Sequence, residues 1–287
     1  ENMRFLIIGC NGMAGHVISL YLSTQGHDVT GYARQKSRFV NTVIGDATDF
    51  DRIKKHILKN EYDSVINCVG ILNQYAERDH VSAILLNSYL PHFLAKITEG
   101  TQTQIIHMST DCVFSGKTGG YTEDSIPDGI LFYDKSKAIG ELVDEKNITI
   151  RSSIVGPDLK PQGIGLLNWF LQQKESVNGF TRAIWTGQTT LQLARTMELA
   201  AKFRAHGLFH MVPDQSINKY ELLQLFNTYL RRKSIDINPC DDYISDKSLV
   251  RTRYEGFEYR IPNYQEMMME LGNWLREYKS IYPHYDI

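Results

Sequence analysis

One short turn near the start of the chain limits its fold more than any other feature. Gly9-Cys-Asn-Gly12-Met-Ala-Gly15 follows the apolar run 4–8 and leads into 13–24, which has helical apolar spacing and stops at Gly26. Glycines spaced this way between a strand and a helix remove Cβ atoms where a pyrophosphate would have to touch backbone. The helix N-terminus adds free N–H groups and partial positive charge. Gly9, Asn11, Gly12, Met13 and Gly15 are therefore candidate dinucleotide contacts. The same pattern also occurs as a plain glycine-rich turn, so its weight comes from the segments after it.

Those segments alternate between strand and helix. Apolar, β-branched runs at 28–32, 40–44, 64–69, 104–108 and 148–150 read as strands, with helical segments expected at 48–59, 81–99 and 133–144. Thr48 is the expected cap of the first of these helices, and Gly100 the stop of the second. Strands with continuous apolar faces between helices imply a parallel sheet covered on both sides, an α/β doubly wound fold of Rossmann type. Beyond residue 155 the pattern changes. Helices are expected at 163–174 and 189–205, with a strand at 208–212. Asn218…Glu221 and Asn263…Glu266 resemble capping boxes opening two more helices. The region 180–190 reads as a loop, and Pro, Asn and charge cluster over 234–246. The expected division is a dinucleotide domain over 1–155, rejoined near 181–212, and a small, mostly helical substrate lobe made of 156–180 and 213–287.

Charge and cysteine content remove other classes of function. Across 287 residues, 31 basic side chains face 33 acidic ones, so there is no basic field for nucleic acid or an anionic membrane. No apolar run is long enough to span a bilayer, and the first residues carry no secretory pattern, so a cytoplasmic location is expected. Four cysteines lie far apart without metal-binding or redox spacing, as expected of reduced core residues, and no metal site is expected.

An NAD enzyme usually places an acid at the end of the second strand to hold the ribose hydroxyls. Here Arg34 stands there, followed by Lys36, Ser37 and Arg38, a set suited to a 2′-phosphate. NADPH is the expected cofactor, with NADH as the alternative. Asp46, followed by Ala47, is placed after the third strand, where it could accept from the adenine amino group.

Tyr133 and Lys137 are four residues apart, hence one turn apart on one helix face. A phenol has an ordinary pKa near ~10, and a neighbouring ammonium favours its ionised form. Such a pair can give a proton to a carbonyl oxygen as hydride reaches the carbon. The strand ending in Ser109-Thr110-Asp111 offers a hydroxyl at the strand end where doubly wound sheets carry chemistry.

With these residues assembled, the chain resembles the extended short-chain dehydrogenase/reductases, and among them the dTDP-4-dehydrorhamnose reductase-like group. The likeness rests on the glycine turn, the Asp46 loop, Asn67-Cys-Val-Gly70, Asn87 with Pro91, Ser109-Thr-Asp-Cys-Val-Phe-Ser-Gly116, Tyr121-Thr-Glu123, Tyr133-x-x-x-Lys137 with Gly140-Glu141, and Arg151-Ser-Ser. It is specific over 1–155 and looser beyond. It implies NADPH-dependent reduction of the C4 ketone of a nucleoside-diphosphate 4-keto-6-deoxy sugar, for surface polysaccharide synthesis. Thr110, Tyr133 and Lys137 match the catalytic triad, with Lys137 also holding the nicotinamide ribose, and Cys68, Val69, Gly70 and Tyr133 match cofactor contacts. Related dehydratases carry Glu where Cys112 stands, which favours simple reduction; the group's usual aromatic is missing there too. Dimerisation is common in the family, so a homodimer is an open expectation.

Val113, Arg182, Trp185, Thr186 and Arg251 are the candidate sugar-nucleotide contacts. Trp185 could instead pack between domains, and Arg251 and Arg253 could be surface charge. Two rivals remain: an epimerase or dehydratase that retains NAD(P), and a non-catalytic subunit that senses the dinucleotide.

Overall fold

The computed structural model describes residues 1–287. The first half contains β1 (Arg4–Ile8), α1 (Met13–Thr24), β2 (Asp28–Ala33), β3 (Asn41–Ile44), α2 (Phe50–Lys59) and β4 (Ser64–Asn67). A helical stretch comes next, made of α3 (Asn73–Arg78), α4 (His80–Ala83), a π-helical segment Ile84–Tyr89 and α5 (Leu90–Ile97). Then come β5 (Gln104–Ser109), α6 (Phe132–Ile139), β6 (Ile148–Arg151), β7 (Ser153–Val155) and α7 (Leu166–Leu171). The remainder is β8 (Ser176–Trp185), β9 (Gly187–Thr189), α8 (Thr190–Lys202), β10 (Gly207–His210), β11 (Ile217–Asn218), α9 (Lys219–Leu230), β12 (Asp236–Asp246) and α10 (Tyr264–Glu277).

Seven strands form one sheet in the order β10-β6-β5-β4-β1-β2-β3, with every neighbouring pair parallel. This is the Rossmann-type sheet expected from the sequence. The order reverses direction between β1 and β4, so a crevice opens at the C-terminal ends of those strands. Both faces are covered. One core holds Phe5, Ile7, Ile66, Ile106 and Ile150 against α1 and α8. The other holds Leu6, Ile8, Val65 and Ile105 against α2 and α5. Alternate residues of the same strands enter different cores, which is why these strands read as continuous apolar runs.

Several boundaries depart from expectation. Helix α2 is capped by Asp49, which accepts from the Arg52 amide, while Thr48 binds the Asp46 carboxylate instead. The single helix expected over 81–99 is broken by the π-helical segment, where Asn87 bonds across to Ile71 and Ser136. Helix α6 stops at Ile139, and Glu141 turns inward to meet Arg151. Helix α7 is likewise shorter than its expected span. Asn218 and Asn263 cap α9 and α10, each accepting from the amide three residues on, but the return bond from the glutamate side chain that would complete a capping box is not made at either site.

The largest difference lies beyond residue 175. The loop expected over 180–190 and the cluster of Pro, Asn and charge over 234–246 fall largely in the paired parallel strands β8 and β12, and β11 completes a second, three-stranded sheet. Residues 181–185 thus belong to the smaller sheet, and the chain returns to the large one at β10. The outer face of β12 is exposed and polar, so it lacks the apolar alternation that marks a strand. No helix is long and apolar enough to cross a membrane.

His210 at the end of β10 is fully buried. Its Nε2 accepts from Arg151 Nη1 at 3.1 Å, so Nδ1 holds the proton and donates to the Val250 carbonyl. Burial lowers its pKa from 6.5 to about 4, Glu123 opposing and Arg151 reinforcing the shift. Between pH 6.5 and about 4 the unfolded chain takes up a proton that the folded chain refuses. Stability will therefore fall as the pH falls through that window, and this group contributes no pH dependence above it. Urea midpoints measured across the window should decline in the native chain and decline less in His210→Gln; equal slopes would remove His210 as the cause.

Candidate active site

Each glycine of the phosphate turn has its own reason. Gly9 has φ +85°, a conformation that disfavours side chains, and its amide donates to the Tyr32 carbonyl of β2. A methyl group at Gly15 would stand 1.9 Å from the Gly9 carbonyl oxygen, so α1 packs onto the turn only without one. Gly12 differs: the nearest atom to a methyl there is 3.5 Å away. The protein leaves that space open, on the helix N-cap, beside the amides that have no partner within the helix. This is the cradle a dinucleotide pyrophosphate requires, and the turn fits the group.

A line of close approaches leads from this cradle along the crevice. A methyl at Gly9 would lie 3.0 Å from Val69 Cγ2, just past β4. Gly70, next in the chain, lies where a methyl would be 3.3 Å from Asn87 Oδ1 and 3.7 Å from Lys137 Nζ. Lys137 Nζ donates to the Met108 carbonyl of β5 at 3.0 Å. Two residues on, Thr110 caps a short 3-10 turn, its Oγ accepting from the Cys112 amide at 3.1 Å. Cys112 in turn packs on the cluster of Ala76, Ala83 and Tyr133. The phosphate turn, Val69, Gly70, Lys137, Thr110 and Tyr133 are thus linked by one series of contacts.

The titratable groups are strongly perturbed. Burial lowers the Lys137 pKa to about 8, with Glu141 acting against the shift. Burial raises that of the Tyr133 phenol, the charges of Cys112 and Asp111 add to the rise, and the Thr110 hydroxyl opposes it. The spacing in the sequence predicts a phenol lowered by its lysine neighbour. Instead the Lys137 ammonium is anchored on the β5 carbonyl, and the phenol keeps its proton. Such an arrangement suits a proton donor.

Around the adenosine end, Asn11 Nδ2 donates to the Gln35 carbonyl and joins the phosphate turn to the loop after β2. Arg34, Lys36 and Arg38 are exposed there, while Ser37 is buried and accepts from the Phe39 and Val40 amides. Asp46 is exposed and holds Thr48 by its amide and hydroxyl, bonds that lower its pKa; Arg34 lowers it further. Ala47 is half-buried beside it, as is Cys68 beyond β4, and Met13 sits in the first turn of α1.

Most of the candidate sugar contacts have partners within the protein. Val113 is fully buried with Phe114, Tyr121, Val212 and Leu249. Trp185 donates from Nε1 to Ser153 Oγ at 2.8 Å and packs against Tyr264. Thr186 is buried and accepts from the Leu249 amide at 2.9 Å. Arg251 is buried on the ring of Tyr254, and its guanidinium donates from each of its three nitrogens to the carbonyls of Arg253, Tyr259 and Phe257. Arg253 donates to Asp124 and to the Leu208 carbonyl. Arg182 is the exposed member, on β8 opposite Ile244 of β12. Pairing across strands that the sequence does not mark accounts for these placements.

Three contributors lie outside the site residues expected from the sequence. Asn87 ties the loop after β4 to α6, donating to Ser136 Oγ at 3.0 Å. Glu141 and Arg151 form a buried pair beneath Ser109. Lys247, past β12, brings its amine to 3.8 Å from Cys112 Sγ. Asn87 carries a local signal, an amide inside an apolar helix one turn before Pro91; Lys247, 135 residues from its partner, carries none.

Comparisons with known proteins give a consistent picture. The family model described as the RmlD substrate binding domain matches residues 3–261. The chain is 34% identical over 143 residues to the probable low-salt glycan biosynthesis reductase Agl14 of Haloferax volcanii, 48% of each chain. It is 30% identical over 141 residues to methionine adenosyltransferase 2 subunit beta of Xenopus tropicalis, 48% of this chain and 41% of that one. The chain spans about half the length of the curated relatives it matches. The solved dTDP-4-dehydrorhamnose reductase of Bacillus anthracis in complex with NADP superposes with TM-score 0.77 at 18% identity, covering 94% of this chain and 99% of that one. At that identity the likeness is one of fold.

Proposed function

Because the chain belongs to the family of the RmlD substrate binding domain, we propose that it reduces the C4 ketone of a nucleoside-diphosphate 4-keto-6-deoxy sugar with NADPH. The reading is supported by the series of close approaches that joins the phosphate turn, through Val69 and Gly70, to Lys137 Nζ. The relatives named as a glycan biosynthesis reductase and as dTDP-4-dehydrorhamnose reductases support it and point to surface polysaccharide synthesis. The four free cysteines suit a reducing cytoplasm.

When bound, NADPH supplies the hydride. Gly9, Gly12, Gly15 and the α1 N-terminus hold the pyrophosphate, Arg34 with its basic neighbours holds the 2′-phosphate, and Lys137 holds the nicotinamide ribose. Tyr133 holds its proton at the phenol oxygen and releases it to the substrate's C4 oxygen. Thr110 turns its hydroxyl from its weak contact with Asp111, 3.4 Å away, to the same oxygen. The carbonyl becomes an alcohol: one hydride to carbon, one proton to oxygen. Cys112 offers no carboxylate for the acid–base step of a dehydratase.

A second reading, a dinucleotide-sensing subunit without catalysis, is favoured by the likeness to subunit beta of methionine adenosyltransferase 2. Purified protein given NADPH and a panel of nucleoside-diphosphate 4-keto sugars decides between them. Oxidation of NADPH with at least one sugar supports the reductase; binding of NADPH with no oxidation by any sugar supports the subunit. For the cofactor, Arg34→Ala should weaken NADPH by about 10- to 100-fold, the size of one charged hydrogen bond, and NADH hardly at all. Equal losses for both dinucleotides would rule out Arg34 as the phosphate ligand.

A further inference from the structure

His16 lies fully buried in the first turn of α1, four residues after Gly12. Its Nδ1 is 2.9 Å from the Gly12 carbonyl oxygen. A carbonyl can only accept, so Nδ1 carries the proton and Nε2 is a bare acceptor. The Tyr282 hydroxyl, 2.6 Å from Nε2, is therefore the donor. Burial lowers the His16 pKa, in keeping with a neutral ring. A directed relay thus runs from Tyr282 through His16 to the backbone of the one phosphate-turn glycine that faces open space. Tyr282 itself is held by packing against Trp274 and Tyr285.

The same segment reaches the turn by a second arm. The Tyr285 hydroxyl accepts from the Asp158 amide at 2.8 Å and donates to Asn168 Oδ1. His284 Nε2 donates to the Asp158 carbonyl at 2.8 Å. Asn168 Nδ2 donates to the carbonyls of Ile164 and Gly156 and stands 3.8 Å from Met13 Sδ. Met13 is the residue after Gly12. Both arms therefore end on the Gly12–Met13 step, one from inside α1 and one from Asn168 of α7.

We propose that Tyr282 and Tyr285 are positioning residues of the dinucleotide site: through His16 and Asn168 they fix the Gly12–Met13 step on which the pyrophosphate rests. The inference rests on the dinucleotide reading of that turn. Without the Tyr282 hydroxyl, His16 Nε2 is buried with no donor, and the ring is free to abandon the Gly12 carbonyl in search of one. The turn must then be ordered again each time a dinucleotide binds, a cost that falls on affinity.

The test is NADPH binding and dissociation measured on Tyr282→Phe, which keeps the ring packing and removes only the hydroxyl. Tyr62→Phe is the control, because Tyr62 makes a like contact, 2.7 Å to His56 Nε2, far from the phosphate turn. Tyr282→Phe should raise the NADPH Kd about tenfold, mostly through faster dissociation, while Tyr62→Phe leaves it unchanged. If Tyr282→Phe does not fold, Tyr285→Phe reads the second arm with the same expectation. Native affinity in folded Tyr282→Phe, or in Tyr285→Phe where that variant is the one read, or equal weakening in Tyr62→Phe, would overturn the proposal. A wild-type chain that binds neither NADPH nor NADH would instead remove the dinucleotide reading, and the relay's role with it.

Discussion

Replacing Tyr133 with Phe will lower kcat for NADPH-dependent ketone reduction by about 10²- to 10⁴-fold, the usual contribution of a positioned proton donor. NADPH affinity will fall far less than kcat, since the glycine turn, Arg34 and Lys137 carry most of the proposed dinucleotide contacts. The phenyl ring retains the packing of Tyr133 against Ala76 and Ala83. The variant should therefore keep its thermal midpoint, which separates a lost proton from a lost fold. The structure adds a reason for the size of the effect. The buried phenol has a raised pKa and remains protonated at neutral pH. Water reaches it poorly and cannot readily take its place. Turnover at a tenth of the native rate or better in Tyr133→Phe would assign the proton to another group and unseat the mechanism.

The parts of this arrangement legible in the sequence are those fixed by neighbours in the chain. The glycine turn is local: Gly9 needs positive φ and Gly15 needs room against Gly9, seven residues that specify themselves. Tyr133 and Lys137 share one turn of helix, so their common face follows from spacing alone. What the spacing could not supply was the electrostatic state of the pair, because the groups acting on Tyr133 are Cys112, Asp111 and the bulk of the protein. The break in the helix at Ile84–Tyr89 also has a tertiary cause, the bonds of Asn87 to Ile71 and Ser136. Strands β8 and β12 escape notice for a different reason. Their outer residues alternate poorly, and each is recognisable as a strand only by the other, some 60 residues away along the chain. Trp185, Thr186 and Arg251 are the residue types that bind sugar nucleotides, but here they satisfy the second sheet and the turns beside it.

The Glu141–Arg151 pair will prove to be the chain's costliest single polar contact to break. Arg151 Nε and Nη2 donate to the two Glu141 oxygens at 2.6 and 2.7 Å, with side chains only 4% and 6% exposed. Ser109 Oγ donates to the same carboxylate at 2.7 Å, and the guanidinium lies 5.0 Å from the centre of the Phe114 ring. Glu141→Leu leaves a buried guanidinium with His210 as its remaining hydrogen-bond partner. Losses of this kind cost about 3–5 kcal/mol, a large part of an ordinary domain's stability. Urea unfolding should show the drop directly. The double variant Glu141→Leu/Arg151→Met should recover most of it, because removing both charges together leaves no unpaired ion. A loss under about 1 kcal/mol in the single variant, or a double variant worse than either single, would contradict this account. The pair also bears on the chemistry. Glu141 lies past the end of the helix carrying Tyr133 and Lys137, and it holds Ser109, the residue before Thr110. The contact therefore ties the end of α6 to the end of β5, the two elements that carry the proposed proton donor and triad hydroxyl. The native-like fraction of Glu141→Leu should for that reason turn over more slowly than wild type, even at temperatures where it remains folded.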